Sequence, residues 1–353
     1  MPDYPPTGEL IEDMPEYVYH SDPFEVPTLN ASTARYILDK SAAHAYDAHP
    51  RLGGAPARHS QQFDFGKHGH KLLLKKGSPL APVYIENTKK GVTPETWATT
   101  NRAGRLFVHD ADGELMAEAE PADSEAILAL GFRAADSFRT KAAKAAQDYL
   151  RGAGRIPVLK RDETEMSAMA NKWRAKLLNH KDRYGKPEPI SFDGISECVL
   201  SWHSKTEDGH DVLCRAMLDH VHVFAKNGRP YGAIIDDVKT GKDAHPSMCE
   251  RKIFSLGSYI QRTAYREGLS KVLDIPEQHI RFRWISVEIS RVAAVNVSEA
   301  DESTSHLGEH HWMRAKGIWH KCNASGEWPD YSGRTHIVSA PMWKMRELEE
   351  EYE

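Results

Sequence analysis

The middle of the chain alternates apolar and polar residues in a way that predicts a β-sheet. The stretches ISECVLSWHS, HDVLCRAMLDHVHVF and YGAIIDDVKT have the pattern of buried or half-buried strands, and the turns TEDG and KNGRP separate them. Turns this short join strands that run antiparallel. The pattern therefore predicts an antiparallel meander, with RFRWISVEIS as a further strand after a helical segment.

Helical periodicity surrounds these strands. LNASTARYILDKSAAHAYDAH predicts one helix capped by Asn30 or Ser32, and FDFGKHGHKLLLKKG predicts a second helix that begins at Gly66 and carries His70. Three more helices are predicted in SFRTKAAKAAQDYLRGAG, DETEMSAMANKWRAKLLNH and CERKIFSLGSYIQRTAYREGLSKVL. In the second of these, Asp162 is the expected cap and Glu165 the capping-box residue.

These elements predict an α/β (α+β) fold with a mixed central β-sheet flanked by helices. We see no convincing linker, so we expect one domain over 1–353, with a core at about 195–290 and N-terminal helices at about 28–80. Residues 1–27 have the pattern of an irregular lead-in. Residues 82–135 remain unplaced, apart from a DG-type hairpin expected in LFVHDADGELMAEAE.

Composition narrows the class of protein. The chain of 353 residues is 40% hydrophobic and 27% charged, which is typical of a globular protein. It has no apolar run near the roughly 20 residues that span a bilayer and no signal-peptide pattern at its start. Four scattered cysteines predict free thiols in a reducing cytoplasm rather than a zinc ribbon or an iron–sulfur cluster. We therefore expect a cytoplasmic protein without a membrane partner.

The net charge of −5 means that any surface for a polyanion must be local. Two basic stretches, Arg139 to Lys144 and Lys172 to Lys176, are candidates for such a surface, and ordinary solvated helix faces are the alternative. Their residues include Arg139, Lys141, Lys172 and Arg174. The histidine-rich stretch from His306 to Cys322 matches no zinc spacing and predicts a helix with buried tryptophans and solvated histidines.

The stretch IIDDVKTG carries the candidate chemistry. On a strand, Asp237 and Lys239 point to one face and Asp236 to the other. A strand-end ion pair with a solvated Asp236 is one interpretation. The other is a metal site, because the predicted hairpin returns Asp219 toward Asp237, and Glu197 begins the preceding strand.

Carboxylate oxygens are the ligands that Mg²⁺ prefers, and such an ion activates water toward a phosphodiester. In that interpretation Lys239 orients the attacking water or stabilises transition-state charge. On the following helix, Gln261 and Tyr265 are four residues apart and share one face that would reach the site or the nucleic-acid backbone.

The ordered set Asp219, Asp237-Val238-Lys239 and Gln261-Arg262-Thr263-Ala264-Tyr265 resembles the D…DxK…QxxxY series of the PDDEXK nuclease superfamily. More closely, it resembles the RecE-type exonuclease VIII family. FGKHGHKLLL is similar to that family's G-x-x-x-H helix. Similar segments elsewhere are STARYILDKSAAHAY, RTKAAKAA, GRIPVLKRDETEMSAMA and GEWPDYSGRTHIVSAPMW.

The resemblance implies a restriction-endonuclease-like core. It also implies roles for individual residues. The implied metal-binding residues are His70, Asp219, Asp237 and Val238. The implied catalytic residues are Asp219, Asp237, Lys239, Gln261, Tyr265 and Glu197. For Glu197, a solvated glutamate at a strand start is the alternative. For His70, Gln261 and Tyr265, the alternative is ordinary packing of a helix.

The function implied by the resemblance is a Mg²⁺-dependent 5′→3′ exodeoxyribonuclease on linear double-stranded DNA, with Mn²⁺ as a substitute. Such enzymes leave 3′ single-stranded tails for a single-strand annealing protein in phage-type recombination. The resemblance further implies a ring-shaped homo-oligomer, a trimer or tetramer, encoded by a phage or prophage. An endonuclease or nickase with the same core and a non-catalytic DNA-binding scaffold are the alternatives. The complete set of Asp219, Asp237 and Lys239 argues against the scaffold.

Overall fold

The structure of the protein is a computed structural model. It describes residues 4–54, 61–89, 92–101, 105–110, 112–119, 124–331 and 333–351, with the backbone alone for 61–65 and 124. The helices are α1 (Glu16–His20), α2 (Ala31–Asp39), α3 (Ala42–Ala48), α4 (Gln61–Leu74), α5 (Ser124–Ala129), α6 (Lys141–Gly152), α7 (Lys160–Leu178), α8 (Pro246–Ser255), α9 (Ser258–Leu273), α10 (Glu302–Ser325) and α11 (Met342–Glu351). The strands are β1 (Leu10–Ile11), β2 (Leu80–Glu86), β3 (Trp97–Thr100), β4 (Leu106–His109), β5 (Leu115–Ala119), β6 (Phe132–Ala134), β7 (Ile156–Val158), β8 (Ile195–Lys205), β9 (Asp211–Lys226), β10 (Arg229–Gly241), β11 (Ile280–Glu288) and β12 (Val295–Ser298).

The central sheet has six strands in the order β1-β8-β9-β10-β11-β12. Strands β8, β9 and β10 form the predicted antiparallel meander. The β9–β10 turn is Asn227-Gly228, with φ of 53° and 75°, the positive values that a tight type I′ hairpin needs. After α8 and α9, β11 pairs with β10 in parallel, so the sheet is mixed. The predicted fold class is confirmed.

Helices cover both faces of this sheet. The main core contains Ile37 of α2, Ile260 of α9 and Trp312 of α10, packed with one face of the strands. The second core contains Leu73 of α4 and Trp173 of α7, packed with the other face. The segment from α4 to α7 therefore lies opposite α9 and α10, and the strands between them are buried on both sides.

The strands described within 82–135, a stretch left unplaced by the sequence apart from one hairpin, belong to a second sheet. Its strands run β5-β4-β3-β2-β6, and β7 pairs with β2 in parallel. Helix α6 packs on this sheet through Ala142, Ala146 and Leu150. The hairpin expected in LFVHDADGELMAEAE is present as β4 and β5, but a longer loop joins its strands than a two-residue DG turn would.

Several predicted helix boundaries are wrong. The first predicted helix is two, α2 and α3, because the backbone breaks at Lys40 and a second cap follows at Ser41. Asn30 is the cap of α2, as expected. The long helix after β10 is also two, α8 and α9, separated at Gly257, whose φ is 67°.

Two other starts differ from the prediction. Helix α7 begins at Lys160, and its N-cap is Leu159 rather than Asp162. Helix α4 begins at Gln61, before Gly66.

The lead-in over 1–27 is not wholly irregular, because β1 pairs with β8 and α1 follows it. The histidine-rich stretch is helical as predicted, with Trp312 and Trp319 buried.

All four cysteines are free thiols and are buried. None of the helices in the described part of the chain is both long and apolar enough to cross a membrane.

Candidate active site

The alternation of β8 changes phase at Glu197, where the backbone is left-handed with φ of 54°. Ile195 and Cys198 both pack in the main core although they are three residues apart, a spacing that a regular strand places on opposite faces. On the paired strand β9, two residues three positions apart, Leu218 and Val221, also both pack in the main core, and Asp219 lies between them. Positive φ at a residue other than glycine is costly, and outside turns and helix caps such strain clusters at functional sites. Both carboxylates therefore lie at an irregular position shared by two strands.

Asp237, Lys239 and Gln261 form a closed polar triangle at the end of β10. The Lys239 ammonium lies 2.9 Å from Asp237 Oδ1 and 2.7 Å from Oδ2. The Gln261 side chain donates to Asp237 Oδ1 at 2.8 Å and accepts from Lys239 at 3.1 Å. Both ends of this amide are used, so its orientation is fixed. Helix α9 thus brings Gln261 to the same side of the sheet as Asp237 and Lys239, as predicted.

His70 bridges the other two carboxylates. Its Nδ1 lies 2.9 Å from Glu197 Oε1, and its Nε2 lies 3.1 Å from Asp219 Oδ2. Asp219 Oδ2 also accepts a 2.7 Å hydrogen bond from the Val238 backbone amide. Helix α4 can lie this close to β10 because Gly66 has no side chain, since a Cβ there would be 2.9 Å from Thr240 Oγ1. The structure therefore places His70 of α4 between Glu197 and Asp219, the two carboxylates that the sequence put on neighbouring strands.

Burial and pairing separate the pKa values of these groups. Burial disfavours charge on His70, but attraction and hydrogen bonds to Asp219 and Glu197 outweigh it and raise the pKa of His70 to about 10. Burial raises the pKa of Asp237 to about 6, although the Lys239 charge opposes it. For Asp219, attraction to His70 overcomes burial and lowers the pKa. The site therefore holds alternating negative and positive charges.

Asp236 is not solvated, contrary to the first interpretation of this strand. Its side chain is only 1% exposed and pairs with Arg283, whose Nε is 2.6 Å from Asp236 Oδ1. His220 Nδ1 lies 3.3 Å from Asp236 Oδ2, while the Gly194 amide donates to His220 Nε2 at 3.0 Å. Since Nε2 is thereby an acceptor, the Nδ1 proton faces Asp236. This cluster holds β9, β10 and β11 together on the opposite face from Asp237.

The donor set suits a hard cation. The buried Asp237 Oδ2 accepts no hydrogen bond of good geometry, despite the nearby Lys239 charge. Carboxylate oxygens of this kind are the preferred ligands of Mg²⁺. Among the described residues, no three His, Cys, Asp or Glu side chains form a ready metal cage as they stand. Instead, His70 and Lys239 offset part of the negative charge of Glu197, Asp219 and Asp237.

The remaining predicted site residues lie in different surroundings. Tyr265 packs in the main core, close enough to the site that burial and the Asp237 and Asp219 charges raise its pKa well above the usual value. Arg139 and Lys141 are exposed near the start of α6. Lys172 donates to the Arg291 carbonyl at 2.7 Å.

Arg174 is half-buried and donates to the Leu72 carbonyl at the end of α4. This side chain therefore fastens α7 to α4, and Lys172 fastens α7 to the loop before β12. Both cations already have a structural task, which weakens their case as DNA contacts relative to Arg139 and Lys141.

Residues of the N-terminal segment also reach this region, which sequence reasoning missed. Glu16 of α1 pairs with Lys67 at 2.6 Å and accepts from Ser78 at 3.1 Å. Lys67 is three residues before His70 on α4, and this helical spacing is the feature of the sequence that could have indicated that Lys67 lies near the site. Nothing in the local pattern around Glu16 indicates its partner, because the contact is 51 residues away in the chain.

No family model matches the chain, and no curated protein matches it. Among solved structures, the chain is similar to a crystal structure of a protein from Eubacterium rectale that is described as a candidate exonuclease. The two are 8% identical, with a TM-score of 0.46, over 95% of this chain and 98% of the other. A likeness this weak carries no argument about activity.

Proposed function

We propose that the protein is a metal-dependent nuclease that hydrolyses phosphodiester bonds in DNA. One observation carries the proposal: Asp219, Asp237 and Lys239 meet at one place, with Gln261 fixing the lysine and His70 lying against the first carboxylate. The simpler alternative, an isolated ion pair at the end of a strand, does not explain why His70 and Glu197 lie at the same place. Strained backbone at Glu197 also favours a functional site over simple packing.

Mg²⁺ is the proposed cofactor, with Mn²⁺ as a substitute. The Asp219 and Asp237 carboxylates would hold it, with His70 and Val238 as the further ligands implied by the family resemblance. When bound, such an ion polarises a phosphodiester and lowers the pKa of water. A histidine ligand must be neutral, so the proton that His70 shares with the two carboxylates has to leave when a metal arrives.

Lys239 has the second role in this proposal. Its ammonium is held by Asp237 and Gln261 and is 34% exposed, so it can also face a substrate. A fixed positive charge there stabilises the negative charge that develops on phosphate oxygens during hydrolysis. Gln261 is a positioning residue, because it touches Lys239 and Asp237 rather than the reacting atoms. Glu197 holds His70 in place and is a candidate second acidic group.

The finer proposal is a 5′→3′ exonuclease on linear double-stranded DNA that leaves 3′ single-stranded tails for an annealing protein. The support is the ordered motif set shared with the RecE-type family, since endonucleases can share the carboxylates and lysine. A cytoplasmic ring of three or four copies, encoded by a phage or prophage, belongs to the same proposal. The net charge of −5 requires a local DNA surface, for which exposed Arg139 and Lys141 remain the candidates.

Supercoiled plasmid and its linearised form, incubated side by side, test this proposal. The wild-type protein should digest only the linear DNA, with Mg²⁺ or Mn²⁺ but not with Ca²⁺ or EDTA, and should release a 5′-end label first. The Asp237→Asn variant, purified in the same way, is the control for a contaminating nuclease. Rapid nicking of the circle would favour the endonuclease instead. A folded protein inert toward both DNAs in Mg²⁺ would favour the DNA-binding scaffold.

A further inference from the structure

The Glu16 carboxylate of α1 contacts an ammonium on α4 and a hydroxyl just before β2. Its Oε1 lies 2.6 Å from the Lys67 ammonium, and its Oε2 accepts from the Ser78 hydroxyl at 3.1 Å. Burial disfavours its charge, but the hydrogen bonds to His20 and Lys67 and the Lys67 charge lower the pKa of Glu16 to about 2. The carboxylate is thus an anion at any physiological pH.

Both donors flank the residues already assigned to the active site. Lys67 and His70 are three residues apart on α4 and so share one face of the helix, with Cβ atoms about 5–6 Å apart. Ser78 follows Gly77, and a Cβ built on Gly77 would lie only 3.5 Å from Glu197 Oε1. Lys67 is therefore a helical neighbour of His70, and Ser78 adjoins the residue that lies against Glu197.

An ammonium and a hydroxyl are the groups that proteins commonly use to bind DNA phosphates. They are needed here because Glu197, Asp219 and Asp237 make the neighbourhood repulsive to a polyanion. We propose that Lys67 and Ser78 form a subsite for a backbone phosphate of DNA, and that the Glu16 carboxylate fills this subsite until DNA displaces it. The proposal rests on the nuclease function proposed above.

The exchange requires only a side-chain movement. The N-terminal segment is anchored by the β1–β8 pairing and by the buried side chains of Tyr19 and Phe24. Glu16 and Lys67 themselves are 21% and 29% exposed, so the pair is open to solvent on one side. Rotation of the Glu16 side chain would release its contacts with Lys67 and Ser78 while the segment stays docked. The rival explanation is that the pair serves only to fasten α1 to α4.

Two substitutions separate these explanations because they should act in opposite directions. Glu16→Gln removes the competing charge and should tighten DNA binding about three- to tenfold. Lys67→Ala removes the phosphate partner and should weaken binding about tenfold. It should also lower the slope of log K against log salt by about 0.9, the value for one phosphate contact. If the pair only fastens α1 to α4, Glu16→Gln and Lys67→Ala should change the DNA affinity in the same direction, since each substitution breaks the pair.

The exposed pair Lys205–Asp211, whose atoms are 2.8 Å apart, supplies matched controls. Asp211→Asn and Lys205→Ala change the net charge as the test variants do. Asp211 is eight residues from Asp219 along β9, roughly 26 Å away at 3.3 Å per residue. These controls should stay within about twofold of wild type. Ser78→Ala, which changes no charge, should weaken binding about threefold.

The measurement is fluorescence anisotropy of a labelled linear duplex in EDTA, where no cleavage occurs, followed by digestion of the same duplex in Mg²⁺. Thermal unfolding of each variant checks that it is folded. If wild type binds and cleaves but the two test variants shift together, or no further than their controls, the subsite is rejected and the nuclease stands. If folded wild type neither binds nor cleaves DNA, the subsite and the nuclease are both rejected.

Discussion

At the scale of single residues, two neighbouring aspartates of β10 have different tasks. Asp236 belongs to a buried cluster with Arg283 and His220, on one face of the sheet. Asp237 faces Lys239 and Gln261 on the other face. Because side chains alternate along a strand, the sequence alone predicts that the Asp236 and Asp237 side chains point to opposite faces of the sheet. The partners of Asp236 could not be predicted in this way, because Arg283 is 47 residues away and lies on a parallel strand.

This difference predicts a separation of stability from activity. Asp236→Ala removes the closest counter-ion of the buried Arg283 and leaves it Glu188 at 3.7 Å, and breaking such a buried pair typically costs about 3–5 kcal/mol of unfolding free energy. Asp237→Asn removes a charge whose burial is already unfavourable, so the fold should remain intact while cleavage falls to background. Urea unfolding combined with a linear-duplex assay measures both quantities. A stable Asp236→Ala protein would show that the Arg283 pair contributes little.

Lys239 gives a second prediction at this scale. Lys239→Ala should bind DNA nearly as well as wild type but cleave at least about a hundredfold more slowly, which corresponds to a few kcal/mol of transition-state stabilisation. Single-turnover rates at saturating protein separate the cleavage step from binding. Unchanged turnover would reduce Lys239 to the counter-ion of Asp237.

At the scale of elements, the sequence predicted strands better than helix ends. The β8–β10 meander has strong alternation and clear turns, and it appears where expected. Helical periodicity, in contrast, continues across Lys40 and across Gly257, where the backbone breaks. Apart from the β4–β5 hairpin, the second sheet escaped prediction because strands such as β3, β6 and β7 have only three or four residues, too few to show an alternation. The sequence likewise does not predict the change of phase in β8 at Glu197, because a glutamate does not indicate positive φ.

The break at Gly257 predicts an effect on both stability and the site. Its φ of 67° is unfavourable for other residues, and a Cβ there would lie 2.9 Å from side-chain atoms of Arg35. Gly257→Ala should therefore lose about 1–2 kcal/mol of unfolding free energy. Cleavage should also slow, because the turn sets the position of α9 and hence of Gln261.

Gly317 is the matched control for this change. It lies within α10 with no atom within 4 Å of a built Cβ, so Gly317→Ala should be neutral or stabilise by up to about 1 kcal/mol. Urea unfolding of both variants makes the comparison. Equal effects at the two positions would mean that the left-handed turn is not what constrains Gly257.

At the scale of the whole molecule, the N-terminal segment ties the start of the chain to both β8 and α4. The Glu16–Lys67 pair gives this tie a pH dependence. Because folding lowers the pKa of Glu16 from 4.5 to about 2, its contribution is full above pH 4.5 and is lost as the pH falls toward 2. Allowing for partial exposure, we expect about 2 kcal/mol in total.

Glu16→Gln replaces the carboxyl at position 16 with an amide, which does not titrate in this window. Its stability deficit relative to wild type should therefore narrow by about 1 kcal/mol between pH 5 and pH 3. Urea unfolding at the two pH values measures the deficit. A deficit that is constant or widens in acid would show that Glu16 is not held ionised by its partners.

The Val238 amide, which donates to Asp219 Oδ2 at 2.7 Å, makes one backbone proton a spectroscopic indicator. The resonance of this amide in a ¹⁵N-labelled sample depends on the charge and partners of the Asp219 carboxylate. The Val238 side chain is packed in the second core, so the amide itself has little freedom to move for other reasons. Any cation that takes the carboxylate from His70 would shift that single peak. Titrations of metal ions can thus be followed at the site without substrate and without turnover.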